Sequence, residues 1–202
     1  TRTDLLKNLL KKDKAQIEPQ NYGNLLEKAL PPCRLSLLKA VIECASQEHQ
    51  ALYIVGGFVR DLILQKPSQD FDIVVEGDAI RLARMLANKF GGRVVAHRRF
   101  GTAKWKIDEI QTKLIDELNC LPKGRCDLPD SLDLISARTE FYDHPTALPI
   151  VENSSIKQDL HRRDFTINTL ALRLDGSHFG ELQDHWGGLK DLKKKSVKVL
   201  HS

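Results

Sequence analysis

A diglycine that joins a predicted strand to a predicted helix is the sequence feature that most constrains the fold. The apolar run 51–55 is typical of a buried strand, and the residues from Phe58 to Leu64 are predicted to form a helix. Gly56 and Gly57 lie between them, where a backbone without Cβ atoms allows a ligand to approach closely. The order of all the predicted elements is helices, then βαβαβββ, then helices and a hairpin, and it favours an α/β or α+β domain with a mixed β-sheet flanked by helices.

Two carboxylates follow the diglycine at a distance of thirteen residues. Asp70 and Asp72 flank Phe71, and a second strand is predicted over 71–75. Side chains at positions i and i+2 of a strand point to the same face. Because like charges buried side by side are costly unless a cation neutralises them, the pair predicts a metal site. Mg²⁺ suits it, since this ion commonly takes one or two carboxylates together with substrate phosphates.

Periodicity and turn residues predict the other elements. An irregular loop or insertion is expected over 108–130, and Asp175-Gly176 is typical of a hairpin turn. The predicted helices cover 3–14, 23–30, 35–47, 78–90 with Asp78 as N-cap, 155–162 and 165–172, and the further strands cover 94–96, 101–107 and 132–136.

The composition is that of an ordinary globular protein, with 41% hydrophobic and 29% charged residues. No run approaches a membrane span and the N-terminus has no signal-peptide pattern, so we expect a cytoplasmic protein. The four cysteines have no zinc-ligand spacing and are expected to be reduced thiols. The net charge of +4 is mild, but basic residues cluster at Arg93, His97, Arg98 and Arg99, which favours phosphate contact.

A third carboxylate would complete a site for two metal ions. Asp133 has the right setting, because it is a single acid within the apolar run 132–136. Asp130 is a weaker candidate on the loop side of that run. Arg138 follows five residues after Asp133 and could emerge near bound phosphates.

A basic and acidic segment, 157–168, runs into the last predicted helix. Asp159, Arg162, Arg163 and Asn168 lie within it, and two interpretations are open. The segment could be a surface network of ion pairs, or its arginines could contact a triphosphate or a sugar. The same choice applies to Arg60, which either pairs with its neighbour on the surface or extends a guanidinium towards phosphate at the diglycine.

Taken together, these strings resemble a known family. The chain is similar to the class II tRNA nucleotidyltransferases (CCA-adding enzymes) and bacterial poly(A) polymerases, in their catalytic head domain, over roughly residues 50–202. The strings that carry the resemblance are Gly56-Gly57-Phe58-Val59-Arg60-Asp61, Asp70-x-Asp72, Phe100-Gly101-Thr102, Ala137-Arg138-Thr139-Glu140, Arg162-Arg163-Asp164-Phe165-Thr166-Ile167-Asn168 and Trp186-Gly187-Gly188-Leu189-Lys190-Asp191-Leu192.

The resemblance implies a polymerase-β-type head that adds C or A from CTP or ATP to the 3′ end of tRNA with two Mg²⁺ ions. It places the catalytic metal ligands on Asp70, Asp72 and Asp133. It places nucleotide contacts on Gly56, Gly57, Arg60, Arg138, Asp159, Arg162, Arg163 and Asn168. The family's neck carries a Glu-Asp-x-x-Arg motif that selects the base, and these 202 residues contain none. We therefore expect a head without neck, body and tail.

The division of the chain follows from the extent of the resemblance. Residues 1–50 are predicted to be a helical extension or linker, and 51–202 the nucleotidyltransferase head. Three alternatives to tRNA end addition stay open at this point: a poly(A) polymerase, a nucleotidyltransferase acting on small molecules, and an RNA-binding module without catalysis.

Overall fold

The structure is a computed structural model that describes residues 20–66, 71–120, 127–141 and 150–201. The strands in this part of the chain are β1 (Ala51–Val55), β2 (Ile73–Glu76), β3 (Arg93–His97), β4 (Thr102–Lys106), β5 (Ser131–Ser136), β6 (Arg138–Phe141), β7 (Ile150–Asn153), β8 (Ala171–Arg173) and β9 (Glu181–Gln183). The α-helices are α1 (Gly23–Ala29), α2 (Pro32–Gln47), α3 (Gly57–Ile63), α4 (Ala79–Phe90), α5 (Gln111–Glu117), α6 (Ile156–His161) and α7 (Gly188–Lys193).

A mixed sheet of seven strands forms the centre of the fold, in the order β3-β4-β5-β2-β1-β8-β9. The pair β2 and β5 is parallel, with Ile73 opposite Leu134, and the other neighbours in this sheet are antiparallel. Strands β6 and β7 form a separate antiparallel pair beside α6. The predicted fold class, a mixed sheet flanked by helices, is confirmed.

Alternation of side chains gives β4 and β5 one packed face and one open face, whereas β1 and β2 are buried on both faces. On β4 and β5, Ala103, Trp105, Leu132 and Leu134 are at most 3% exposed and join the main hydrophobic core. The residues between them point to the other face and keep partial solvent access. Helix α4 packs beneath β3, β4 and β5 and covers one face of these strands, while Ile156 and Leu160 of α6 join a second buried cluster with residues of β1 and β2.

The N-terminal helices are built into the same core as the sheet. Leu26 of α1, and Leu37, Leu38 and Val41 of α2, are fully buried in the cluster that also contains the strand residue Ile54. The predicted helix over 3–14 lies outside the described residues. The division of the chain at residue 50 stays a prediction.

Helix ends follow the signals in the sequence. The carboxylate of Asp78 accepts a hydrogen bond from the backbone N–H of Arg81, and Gly91 ends α4 with a positive φ of 93°. At α6, Ser155 and Gln158 form a reciprocal capping box. These caps confirm the predicted start of α4 and fix the start of α6, which carries part of the site.

The secondary structure predicted for two segments was wrong. Part of the expected loop 108–130 is helical, because Leu114 is fully buried and anchors α5 against the core. The predicted helix over 165–172 is instead a 3₁₀ turn, Thr166–Asn168, followed by β8. Pairing of Leu172 with Ile54 of β1 draws this segment into the sheet. The hairpin predicted around Asp175 is confirmed as the β8–β9 pair.

The cysteines also differ from expectation. Cys33 is disulfide-bonded, whereas Cys44 and Cys120 are free and buried, so the prediction of four reduced thiols is wrong. Among the described residues, no helix is both long and apolar enough to cross a membrane.

Candidate active site

Two carboxylates lie side by side at the parallel strands β2 and β5, close to where β2 begins, and are called the acidic edge below. Because Ile73 is opposite Leu134, the residues before them, Asp72 and Asp133, are neighbours across β2 and β5. Both line two adjoining cavities of about 390 and 330 Å³. Asp133 projects from the open face with 43% of its side chain exposed.

The setting of the acidic pair needs a correction. Asp72 is exposed and precedes β2, which begins at Ile73, so it is not a buried residue within a strand. Asp70 lies outside the described residues. Solvent access lowers the cost of the negative charge, and hard carboxylate oxygens at an open edge still suit a divalent cation. No group of three or more acidic, histidine or cysteine side chains among the described residues could hold a metal ion.

A lysine on the neighbouring strand neutralises one of these acids. Lys104 of β4 is directly opposite Asp133 in the strand register, and its Nζ lies 2.9 Å from Asp133 Oδ2. The predicted strand 101–107 contained this lysine, but its pairing with Asp133 depends on the register between strands that are 29 residues apart. Sequence reasoning therefore missed it.

The diglycine forms a tight turn, and its first residue has a backbone conformation that favours glycine. Gly56 has φ 71° and ψ −129° and caps α3, while its N–H donates to the carbonyl of Leu170 at 2.9 Å. A Cβ placed on Gly56 would lie 2.7 Å from Nη1 of Arg163. The turn therefore brings bare backbone against a guanidinium, an arrangement that suits an anionic ligand.

Arg60 bridges this turn to the last motif. Its guanidinium makes a forked pair with Asp61 at 2.9 and 3.0 Å, and its Nη1 donates to Asn168 Oδ1 at 2.9 Å. The hydrogen bonds to Asp61 raise the pKa of Arg60 further above its usual range. Both interpretations of Arg60 thus find a basis here, since it pairs with its neighbour and also lies beside the diglycine.

A buried carboxylate organises the arginines of the site. Asp159 is fully buried; its Oδ1 accepts from Nη2 of Arg162 at 3.0 Å and from the N–H of Arg138 at 3.3 Å. Its Oδ2 lies 3.5 Å from Nη2 of Arg163. This burial supports a role for Asp159 in holding the arginines rather than in touching a ligand directly. Glu140, which pairs with Arg138 at 2.9 Å and Arg162 at 3.4 Å, extends the network and was not among the predicted site residues.

Arg163 is a largely buried cation of the network, with 23% of its side chain exposed. Burial lowers its pKa, and the charge of Asp159 opposes that shift. Its Nε is buried and has no hydrogen-bond partner among the described residues. A buried guanidinium with an unmatched N–H favours an anion in its vicinity.

The Phe-Gly-Thr string links the end of β5 to Arg138. Gly101 adopts φ 60°, and its carbonyl accepts the N–H of Ser136 at the end of β5. The carbonyl of Phe100 accepts a 2.6 Å hydrogen bond from Nη1 of Arg138. The turn before β4 therefore positions Arg138.

The geometry brings the predicted residues into three connected groups. The acidic edge holds Asp72 and Asp133; the turn holds the glycines, Arg60 and Asn168; and the buried Asp159 gathers the arginines. Arg163 connects the turn with Asp159, because its guanidinium lies beside Gly56 and pairs with Asp159, and the negative charge of Asp72 acts to raise its pKa. The fold and site thus define an α/β domain with an acidic edge beside a set of fixed arginines.

Comparison with known proteins identifies the family to which this domain belongs. Residues 52–198 match the family model described as the Poly A polymerase head domain. The chain is 37% identical over its whole length to an A-adding tRNA nucleotidyltransferase of Geobacter sulfurreducens, of which it covers 22%. It is also 37% identical to a CC-adding tRNA nucleotidyltransferase of Deinococcus radiodurans, over 93% of this chain and 41% of that protein.

Solved structures agree with the sequence relatives. The structure of a Thermotoga maritima CCA-adding enzyme complexed with tRNA matches 90% of this chain with a TM-score of 0.69 and 32% identity, and 36% of that chain is covered. The chain belongs to the poly(A) polymerase head-domain family, which confirms the resemblance. It spans only about a fifth to two fifths of the length of these relatives.

Proposed function

We propose that this chain is the catalytic head of an enzyme that adds C or A from CTP or ATP to the 3′ end of tRNA. The observation that carries the proposal is the acidic edge of Asp72 and Asp133 beside the diglycine turn and its arginines. The relatives named as A-adding and CC-adding tRNA nucleotidyltransferases support the choice of tRNA as the acceptor. In the proposed reaction the terminal 3′ oxygen bonds to the α-phosphorus of the nucleotide, and pyrophosphate leaves.

The triphosphate is proposed to lie at the diglycine turn. Gly56 and Gly57 present backbone without Cβ atoms there, and the guanidiniums of Arg163 and Arg60 beside them supply positive charge. Fixed guanidiniums hold the phosphates in line for attack and stabilise the charge that develops on the leaving group.

The arginines held by Asp159 are proposed to contact the sugar and the remaining phosphate oxygens. Arg162 keeps 28% of its side chain exposed, and Asn168 orients Arg60. Arg138, which pairs with Glu140 and donates its backbone N–H to Asp159, is proposed to contact the nucleotide as part of the same network.

Divalent metal ions are the proposed cofactor, and two Mg²⁺ ions are the proposed species. Asp70, Asp72 and Asp133 would hold them, and the oxygen donors at the open edge fit a hard cation. When bound, such ions lower the pKa of an attacking hydroxyl and neutralise charge on the leaving pyrophosphate. Asp133, on the open face, is also proposed to accept the proton of the 3′ hydroxyl.

RNA is proposed to bind mainly through its phosphates. Arg93, His97, Arg98 and Arg99 are exposed on β3 and the turn after it, on the side of the sheet that carries the acidic edge. Binding of this kind weakens steeply as salt concentration rises. A cytoplasmic location, where tRNA is processed, remains part of the proposal.

Replacing single carboxylates in the full-length protein tests the acidic edge. We expect Asp72→Asn and Asp133→Asn each to reduce transfer of labelled nucleotide to tRNA by at least about a hundredfold, because each removes a ligand charge at the reacting centre. Asp130→Asn is the matched control, since Asp130 is exposed beside the same cavity and is expected to keep near wild-type activity. Normal transfer by Asp133→Asn with an unchanged unfolding midpoint would refute the assignment.

A poly(A) polymerase is the second candidate, favoured by the name of the matching family model. The two functions share the reaction and differ in acceptor and product. Incubation of the full-length protein with tRNA lacking its 3′ end and with unrelated RNA, followed by sequencing of the products, separates them. Long A tails on both RNAs would replace tRNA end addition with poly(A) synthesis.

A further inference from the structure

Lys104 lies against Asp133, one of the carboxylates of the proposed metal site. Lys104 and Asp133 face each other across antiparallel strands on the open face, with Nζ 2.9 Å from Oδ2. Ala103 and Trp105 beside Lys104, and Leu132 and Leu134 beside Asp133, are at most 3% exposed on the opposite face, which fixes the direction of both side chains. The ammonium therefore lies against the carboxylate that a metal ion would need.

Both partners keep room to rearrange. Their side chains are 44% and 43% exposed, and both line the same cavity of about 330 Å³ together with Asp72. A lysine side chain has a long flexible stem and a point charge, so it can leave one anion for another at little cost in geometry. An exposed ion pair of this kind is also weak, which makes exchange of its cation feasible.

We propose that Lys104 is a positioning residue that holds Asp133 in the metal-free protein and exchanges it for phosphate when metal binds. The proposal rests on the proposed role of Asp133 as a metal ligand. Before metal binds, the ammonium orients the carboxylate towards the cavity and satisfies its charge. When a divalent cation takes the carboxylate, Lys104 is released on the face where the proposed function brings nucleotide or RNA phosphates.

Lys106 provides the matched control for this exchange. It lies on the same strand and the same face and lines the same cavity, but its register partner is Ser131 rather than an acid. A general effect of losing positive charge near the site would appear in both lysine variants. An effect of the ion pair with Asp133 would appear only at Lys104.

The first measurement is Mn²⁺ affinity of the full-length protein, read from the electron paramagnetic resonance signal of free Mn²⁺ without nucleotide or RNA. Lys104→Gln is expected to bind Mn²⁺ roughly twofold to fivefold more tightly, the gain from removing a competing exposed ion pair. Lys104→Arg is expected to stay at or below wild-type affinity, because it retains the competing cation. Lys106→Gln should change the affinity much less than Lys104→Gln.

A parallel Asp133→Asn variant separates failure of this inference from failure of the proposed function. If Asp133→Asn weakens Mn²⁺ binding while Lys104→Gln leaves it unchanged or weaker, the exchange is refuted and the metal role of Asp133 stands. If Asp133→Asn leaves Mn²⁺ binding unchanged, the metal role of Asp133 is itself wrong.

The second measurement is the affinity for a labelled tRNA transcript with and without Mn²⁺. In the absence of metal, wild type and Lys104→Gln are expected to bind RNA equally, because Lys104 is occupied by Asp133. With saturating Mn²⁺, Lys104→Gln should bind more weakly than wild type by a few fold, the value of one phosphate contact. An equal deficit under both conditions would show that Lys104 contacts RNA without exchange and would overturn the proposal.

Discussion

Gly56 shows how much of the site depends on one residue without a side chain. Its backbone angles lie in a region that other residues avoid, and the space a Cβ would occupy is taken by Nη1 of Arg163. Any side chain there would strain the backbone and also push the guanidinium away from the turn. The backbone conformation of the turn and the position of the Arg163 guanidinium therefore both depend on Gly56.

We predict that Gly56→Ala raises the KM for ATP or CTP strongly and destabilises the protein by about 1–3 kcal/mol, the cost of a strained backbone. Gly187→Ala is the control, because Gly187 also has a positive φ, 73°, but a Cβ there would meet nothing within 4 Å. It should lose stability and keep its KM. Nucleotide titration of the transfer rate and urea unfolding of both variants check the prediction, and an equal KM in the two would contradict it.

Replacement of Asp159 is expected to disturb several other residues of the site at once. Asp159→Asn removes the negative charge that faces Arg162 and Arg163, and leaves two guanidiniums without their buried partner. We expect a loss of about 1–3 kcal/mol in unfolding free energy, because hydrogen bonds to charged groups are expensive to break. Asp164→Asn, at an exposed position nearby, should change it by less than about 0.5 kcal/mol. Urea unfolding of both variants measures this, and equal losses would argue against the buried role.

At the scale of elements, pairing of strands decides which side chains meet. Asp72 and Asp133 are 61 positions apart in the chain, yet the parallel register of β2 and β5 makes them neighbours. The antiparallel register of β4 and β5 then sets Lys104 against Asp133. On the other side of the sheet, the β8–β9 hairpin carries a local ion pair between Arg173 and Asp175.

The hairpin ion pair predicts a dependence of stability on pH. Burial acts to raise the pKa of Asp175, but hydrogen bonds from Arg173 and the backbone outweigh it and hold the pKa below its usual range. A depressed pKa in the folded state contributes stability above the unfolded pKa of about 3.9, and that contribution disappears as pH falls through the folded pKa. Asp175→Asn should therefore cost up to about 1 kcal/mol at pH 6 and less near pH 3. Urea unfolding at both pH values tests this prediction. It would be contradicted if the difference in unfolding free energy between wild type and Asp175→Asn did not become smaller at low pH.

At the scale of the whole molecule, the N-terminal helices and the sheet share one core. Residues predicted as an extension, such as Leu38 of α2, are fully buried with strand residues. Trp105, also fully buried, donates its indole N–H to the carbonyl of Gly91 and ties β4 to the end of α4. Helices α1 and α2 therefore share a core with the sheet, and the division of the chain at residue 50 stays a prediction.

Leu38→Ala is predicted to destabilise the entire domain by about 2–5 kcal/mol, the usual cost of a cavity in a packed core. Leu64→Ala, at a position 41% exposed, should cost less than about 0.5 kcal/mol. A single cooperative transition with a lower midpoint, followed by the fluorescence of Trp105 and Trp186, would show that α2 belongs to the head. A separate early transition for the helices would instead support the division at residue 50.

Much of the fold could be predicted because its signals are local. Asp78 and the glycines after Phe90 marked the ends of α4, and the alternating pattern around Asp133 marked β5. The 165–172 segment could not be assigned in this way. Its side chains suit a short helix, but contact with β1 and the hydrogen bond from Thr166 Oγ1 to Asp191 hold it as a turn and a strand.

The sequence by itself determined the family, the residue types of the site and most element boundaries, because glycine turns, caps and charge spacing act over a few residues. The tertiary structure decided that Asp159 is buried beneath the arginines, that Asp72 is exposed at a strand edge, and that Lys104 faces Asp133. These outcomes depend on register and packing between segments distant in the chain. Registers arise from the summed burial of whole strand faces, which no local string of residues encodes.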